Sequence, residues 1–96
     1  MHPQGLHDAS RVRPRRLLDR IGRGDLGNIS FADLLALARA FGFELKRTSG
    51  SHHVLAHPHV RELVSLQEVR GQAKPYQIRQ FLRLVERYDL TMEAER

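Results

Sequence analysis

The chain contains no cysteine. That excludes a disulfide framework and any zinc site built on thiolates, and it suits a reducing cytoplasm, the expected location. No stretch approaches the roughly 20 apolar residues of a membrane-spanning helix, so no membrane partner is expected. The opening residues Met1-His2-Pro3-Gln4-Gly5 are polar and lack the apolar run of a secretory signal. There is no G-x-S-x-G elbow for a serine nucleophile and no G-x-x-x-x-G-K-[ST] loop to cradle a nucleotide phosphate. Internal repeats and low-complexity runs are absent too.

What remains is a small basic chain. Its 96 residues, 41% of them hydrophobic, fit one globular domain with a modest core. The net charge is +5 and the sequence pI about 10.7. The excess is uneven. Residues 1–24 hold six arginines against Asp8 and Asp19, a net +4, whereas residues 25–96 hold ten Lys/Arg against nine Asp/Glu, a net +1. Arginines gathered in this way favour a polyanion or an acidic protein, although they serve solubility equally well.

Residues 1–13 are low in apolar content and read as a flexible basic arm. Pro14 can open a short helix through Leu17, Leu18 and Ile21, because proline is tolerated in a first helical turn. Glycines at 22, 24 and 27 break it, making 14–29 a short helix and linker. Residues 30–90 read as the main domain and 91–96 as a tail. Ser30 caps a second helix, with Asp33 in place of the preferred Glu or Gln of a capping box. Phe31, Leu34, Leu35, Ala38 and Phe41 form its apolar stripe, and Gly42 ends it. Phe43 to Thr48 alternates apolar and polar at its start and predicts a half-buried strand. A turn at Ser49-Gly50-Ser51 leads to a second strand, His52–His57, closed by Pro58. Leu63–Leu66 reads as a third. After Gly71 and Pro75, the residues Ile78, Phe81, Leu82, Val85 and Tyr88 repeat the helical spacing. The order α-β-β-β-α predicts an α+β fold: an antiparallel three-stranded sheet with both long helices on one face and a short extra helix in front.

The chemistry-bearing element is Gly50-Ser51-His52-His53. An imidazole titrates near neutrality and exchanges protons at cellular pH with little tuning. In a regular strand His52 and His53 face opposite sides, so only one is exposed for chemistry, and the alternation does not say which. Histidines in strands also serve simply as packing. Four histidines (His52, His53, His57, His59) make a metal site the competing idea. Alternation spreads them over both faces and no nearby carboxylate completes a set, so a metal-free site is expected. Ser51 beside His52 forms no triad by adjacency. Lys46, Arg47, Arg70, Lys74 and Arg79 flank the turn and the last helix, with Lys74 at that helix's start, where N–H groups and a cation suit phosphate. Each could equally be an ordinary solvated charge. Tyr76 could stack on a base or cover the core edge.

From Phe31 to Leu90 the chain resembles the HicA family of toxins from bacterial type II toxin–antitoxin pairs. The matching pieces are Phe31-Ala32-Asp33-Leu34, Phe41-Gly42-Phe43, Arg47-x-x-Gly50-Ser51-His52-His53, His57-Pro58, Leu66-Gln67, and Gly71-x-Ala73-Lys74-Pro75-Tyr76-Gln77-Ile78-Arg79-Gln80-Phe81-Leu82. The resemblance implies a double-stranded-RNA-binding-domain-like fold and an mRNA interferase whose catalytic residue is the histidine after Gly-Ser, here His52. It also implies a HicB-type antitoxin that covers the site. Many members carry a Pro-x-His element after the third strand, where this chain has Leu66-Gln67-Glu68-Val69.

The expected function is therefore metal-independent cleavage of mRNA by general acid–base catalysis at His52, with no cofactor. Lys46, Arg47, Gly50, Ser51, His53, Arg70, Lys74 and Arg79 are the expected RNA contacts. The rivals are a non-catalytic double-stranded-RNA-binding module of the same fold and a chain that matters only as half of an antitoxin complex.

Overall fold

The computed structural model describes residues 12–92. Apart from residues 12–13 and 91–92, the expected arm and tail lie outside that range. Helix α1 spans Pro14–Gly22, α2 spans Phe31–Ala40, strand β1 Glu44–Ser49, β2 His52–His57, β3 Val60–Gln67, and helix α3 Pro75–Arg87. The strands form one antiparallel sheet in the order β1-β2-β3. This is the α-β-β-β-α arrangement of the double-stranded-RNA-binding-like fold.

Local chemistry sets the helix ends. Pro14 and Pro75 occupy the first turns of α1 and α3, where no backbone N–H bond is forfeited. Ser30 Oγ accepts from the Asp33 N–H at 3.1 Å and caps α2. At its far end Phe43 N–H donates to the Ala38 carbonyl and Gly42 N–H to that of Arg39, a Schellman motif. It requires a left-handed residue, and Gly42 supplies it with φ 99°. Helices α1 and α3 end in the same paired bonds.

All three helices contribute to one core. Leu17 and Ile21 of α1, Leu34 and Leu37 of α2, and Ile78 and Phe81 of α3 pack with Leu55, Val60, Val64 and Leu66 of the sheet. Phe81 is fully buried, with the Phe41 and Phe43 rings 5.9 and 5.5 Å away. A side chain of this size contributes about 1.5–3 kcal/mol on burial. The helices therefore cover one face of the sheet and leave the other to solvent.

Two strands depart from expectation. All six residues of β1 are exposed, where a half-buried strand is predicted. The strand is the sheet edge, and a bulge interrupts it: Leu45 pairs with Leu55 and Arg47 with Val54, leaving Lys46 unpaired. The apolar alternation starting at Phe43 is cut off after Leu45, itself 37% exposed. Strand β3 begins at Val60, three residues earlier than the apolar run Leu63–Leu66 suggests. Pro58-His59 forms the whole connection between paired His57 and Val60, and Arg61, Glu62 and Leu63 stand opposite Ala56 alone. The charges at 61 and 62 are exposed, so they continue the strand without an apolar signal.

Candidate active site

The β1–β2 connection is two residues long, between paired Ser49 and His52. Gly50 has φ 60°, the sign that a type II′ turn needs at its first position. Open space surrounds the place where a Cβ would stand, so the backbone angle rather than crowding calls for glycine.

Pairing then decides the faces. His53 lies opposite Leu66 and Leu55 opposite Val64, so His53 belongs to the helix-covered face. Its ring is half-buried, 4.7 Å from that of Phe31, and its Nδ1 lies 3.2 Å from the Ser51 carbonyl oxygen. His52 is exposed on the opposite face, across from Ser49 on one side and Gln67 on the other. The bulge at Lys46 brings Arg47 to this same face, opposite Val54.

Hydrogen bonds tie the turn to the far end of the chain. Glu68 N–H donates to the Ser51 carbonyl at 2.9 Å, and Gln67 Nε2 donates to Ser51 Oγ at 3.3 Å. Gln67 N–H donates in turn to Oε1 of Gln77, in the first turn of α3, at 2.6 Å. The loop between β3 and α3 is held against the start of α2 by Phe31 N–H to the Gly71 carbonyl and Ala73 N–H to the Ile29 carbonyl, each 2.9 Å. One end of the sheet thus gathers the β1–β2 turn, His52, the 68–74 loop and the N-termini of α2 and α3. None of these bonds occupies the His52 ring.

The expected contact residues lie on several different elements. Lys46 is exposed and paired with Glu44 at 3.4 Å. Arg70 is exposed with φ 53°, in the loop that Glu68 anchors to Ser51. Lys74 is the exposed N-cap residue of α3. Arg79 is exposed and shares a face of α3, at intervals of four, with Arg83 and Arg87. Arg87 is bound to Glu62 of β3 at 3.3 Å. Tyr76 is 54% exposed.

His57 has a different environment. It is buried against Phe43, with ring centroids 4.9 Å apart. Its Nδ1 accepts from the His59 N–H at 3.0 Å, which leaves Nε2–H to donate to the Phe41 carbonyl at 2.9 Å. The hydrogen-bond pattern thereby fixes the tautomer. Both nitrogens are consumed within the protein. Among the described residues, no group of three histidine, aspartate or glutamate side chains is arranged to hold a metal ion.

Three participants escape the sequence reading: Phe31 under His53, Gln67, and Gln77. Gln77 left a usable signal. It sits four residues before Phe81, on the buried stripe of α3, and a polar side chain there needs a partner. At the outer edge of the sheet, Tyr88 Oη donates to Glu62 Oε1 at 2.6 Å. That bond first, helped by the neighbouring Arg87 charge among lesser causes, holds the Glu62 carboxyl below its ordinary value; the same bond lifts the Tyr88 hydroxyl above its own, against the pull of the Arg87 charge.

The family model described as HicA toxin of bacterial toxin-antitoxin matches residues 31–86, from the first residue of α2 into the last turn of α3. No curated protein and no solved structure gives a match to the chain.

Proposed function

Given that the chain belongs to the HicA toxin family, we propose that it is an mRNA endonuclease, with His52 as its catalytic residue. The observation that carries this reading is the opposite orientation of the two histidines. His53 is spent beneath the turn against Phe31, whereas His52 is exposed and its ring takes part in no hydrogen bond among the described residues.

The reaction that such a group serves is transesterification of the RNA backbone. The ribose 2′-oxygen attacks the adjacent phosphorus, the P–O5′ bond breaks, and a 2′,3′-cyclic phosphate and a 5′-hydroxyl result. As general base the imidazole removes the 2′-hydroxyl proton; as general acid the imidazolium protonates the departing 5′-oxygen. Help of this kind is worth roughly 10²–10⁴ in rate, and it requires no metal ion. Arg47 on the His52 face, with Arg70, Lys74 and Arg79 on other elements, would hold phosphates and offset charge on the phosphorane oxygens. Gly50 and Ser51 shape the turn that presents His52, His53 supports it from beneath, and Lys46 adds charge at the strand edge.

The partners in this reading are mRNA and a HicB-type antitoxin that covers the same end of the molecule. The test compares His52→Ala with His53→Ala, both checked for folding, in RNA cleavage and in growth arrest on induction. His52→Ala should bind RNA without cutting it. His53→Ala should keep cutting but lose stability, because the ring packing against Phe31 is gone. Full cleavage by His52→Ala refutes the assignment. RNA binding with no cleavage by the parent protein would make it a binding module of the same fold.

A further inference from the structure

We infer that Gln77 is a positioning residue for His52, acting through Gln67 and Ser51. The inference rests on the proposed role of His52. Gln77 lies on α3, the last helix, yet it is only 6% exposed, and its Oε1 accepts the Gln67 N–H at 2.6 Å. Gln67 is the last residue of β3 and stands directly opposite His52 in the β2–β3 pairing. Its own side chain bonds Ser51 Oγ, one residue before His52, while the next N–H along, that of Glu68, bonds the Ser51 carbonyl. Gln77 therefore fixes the residue across from His52, and that residue fixes the residue before it.

The geometry explains why a helix would spend a core-stripe position on an amide. Strand β3 ends at Gln67, and beyond it no further residue pairs with β2. Glu68 N–H points inward to Ser51, so the Gln67 N–H before it points outward from the edge strand, and a part-buried donor left unpaired there is costly. Gln77 closes that gap and joins α3 to the turn. An apolar side chain of the same length would fill the volume but leave the strand end loose. The Gln67 side chain would then reach Ser51 from a strand end that no longer has a fixed position.

The experiment measures kcat and KM on a defined RNA oligonucleotide for Gln77→Met, Gln77→Glu, Gln67→Met and His52→Ala, with folded fraction and Ser51 and His52 amide shifts recorded for each. Gln77→Met keeps the volume and removes the acceptor; Gln77→Glu keeps an acceptor oxygen at the same reach. Gln77→Met should lower kcat on the order of 10- to 100-fold, the scale of a misplaced catalytic group. KM should stay within about twofold, since no group that touches RNA is removed. Gln77→Glu should recover most of the rate, and the Ser51 and His52 amide shifts should move in Gln77→Met and return in Gln77→Glu. The kcat losses of Gln67→Met and Gln77→Met should combine to less than their product, because both act on one chain of bonds. Parental kcat in folded Gln77→Met, with His52→Ala inactive, overturns the positioning role alone. Activity of His52→Ala overturns the reading beneath it. If Gln77→Met does not fold, Gln67→Met decides: it removes only the bond to Ser51, and an unchanged kcat there refutes the inference.

Discussion

Replacing His57 with phenylalanine should destabilise the fold without touching catalysis. The ring is buried, so phenylalanine keeps most of the packing against Phe43, 4.9 Å away. What disappears is the pair of hydrogen bonds, 2.9 Å to the Phe41 carbonyl and 3.0 Å from the His59 N–H. The two losses are unequal. Phe41 is buried, and an abandoned acceptor there costs about 1–3 kcal/mol. His59 is exposed, so water replaces its partner and the net cost is about 0.5–1 kcal/mol. Together they predict a loss of about 1.5–4 kcal/mol, a large share of the stability of a domain this size. In urea unfolding followed by circular dichroism, the midpoint should fall while the slope stays constant. Under conditions where the variant is folded, its RNA cleavage should equal that of the parent. A loss below about 0.5 kcal/mol would mean that the bonds do not operate as drawn. Cleavage abolished in the folded variant would move His57 from the core into the active site and undo the distinction between it and His52.

Cleavage should persist in excess EDTA; loss restored by a single divalent ion would replace proton transfer by His52 with a metal-assisted route. Arg15 and Arg16 are exposed on α1, outside the family match, so converting both to glutamine should leave the cleavage pattern unaltered. The salt dependence of RNA binding, measured on the His52→Ala protein, should become shallower by roughly 0.7 for each phosphate that these arginines no longer neutralise. Glu62 should titrate below the ordinary 4.5 in a carboxyl NMR experiment, and Tyr88→Phe should return it most of the way. The signs differ at the two ends of the pH scale. The Glu62 contribution is present above pH 4.5 and fades as pH falls through the lowered value. The Tyr88 contribution is present below pH 10.0 and fades as pH rises through the raised one. Both groups are exposed, so the stability changes are small and the titration midpoints are the readout.

Much of the architecture is legible in the residue pattern, and the reasons are local. Ser30 and Gly42 bracket α2 with a cap at one end and a left-handed residue at the other. Pro75 and the stripe through Ile78 and Phe81 mark α3, and Gly50-Ser51 and Pro58 bound β2. The less legible parts are decided by pairing between distant segments. Nothing around Lys46 announces a bulge, because a bulge depends on which residues of β2 lie opposite. The same holds for His52 and His53: alternation says that they part company, and only the β3 register with Val64 and Leu66 says which way. His57 looks like a ligand candidate in the sequence because its acceptor, the Phe41 carbonyl, is sixteen residues away and belongs to the backbone.

The bulge at Lys46 also bears on how the molecule behaves in a crowd. Strand β1 is a sheet edge with six exposed residues, and an edge of that kind is a template on which other strands can assemble. An unpaired residue breaks the spacing of free N–H and C=O groups along it, and the residue is a lysine, whose charge repels a copy of itself. An incoming strand would find its ladder out of step after Leu45. Removing Lys46 would restore an even edge and leave Arg47 where it is, opposite Val54 on the face of His52, because Leu45 and Arg47 would then alternate without interruption. A single deletion would then give a protein that keeps Arg47 beside His52 yet sticks to its own kind, so light scattering at rising concentration should report the change before any assay of activity does.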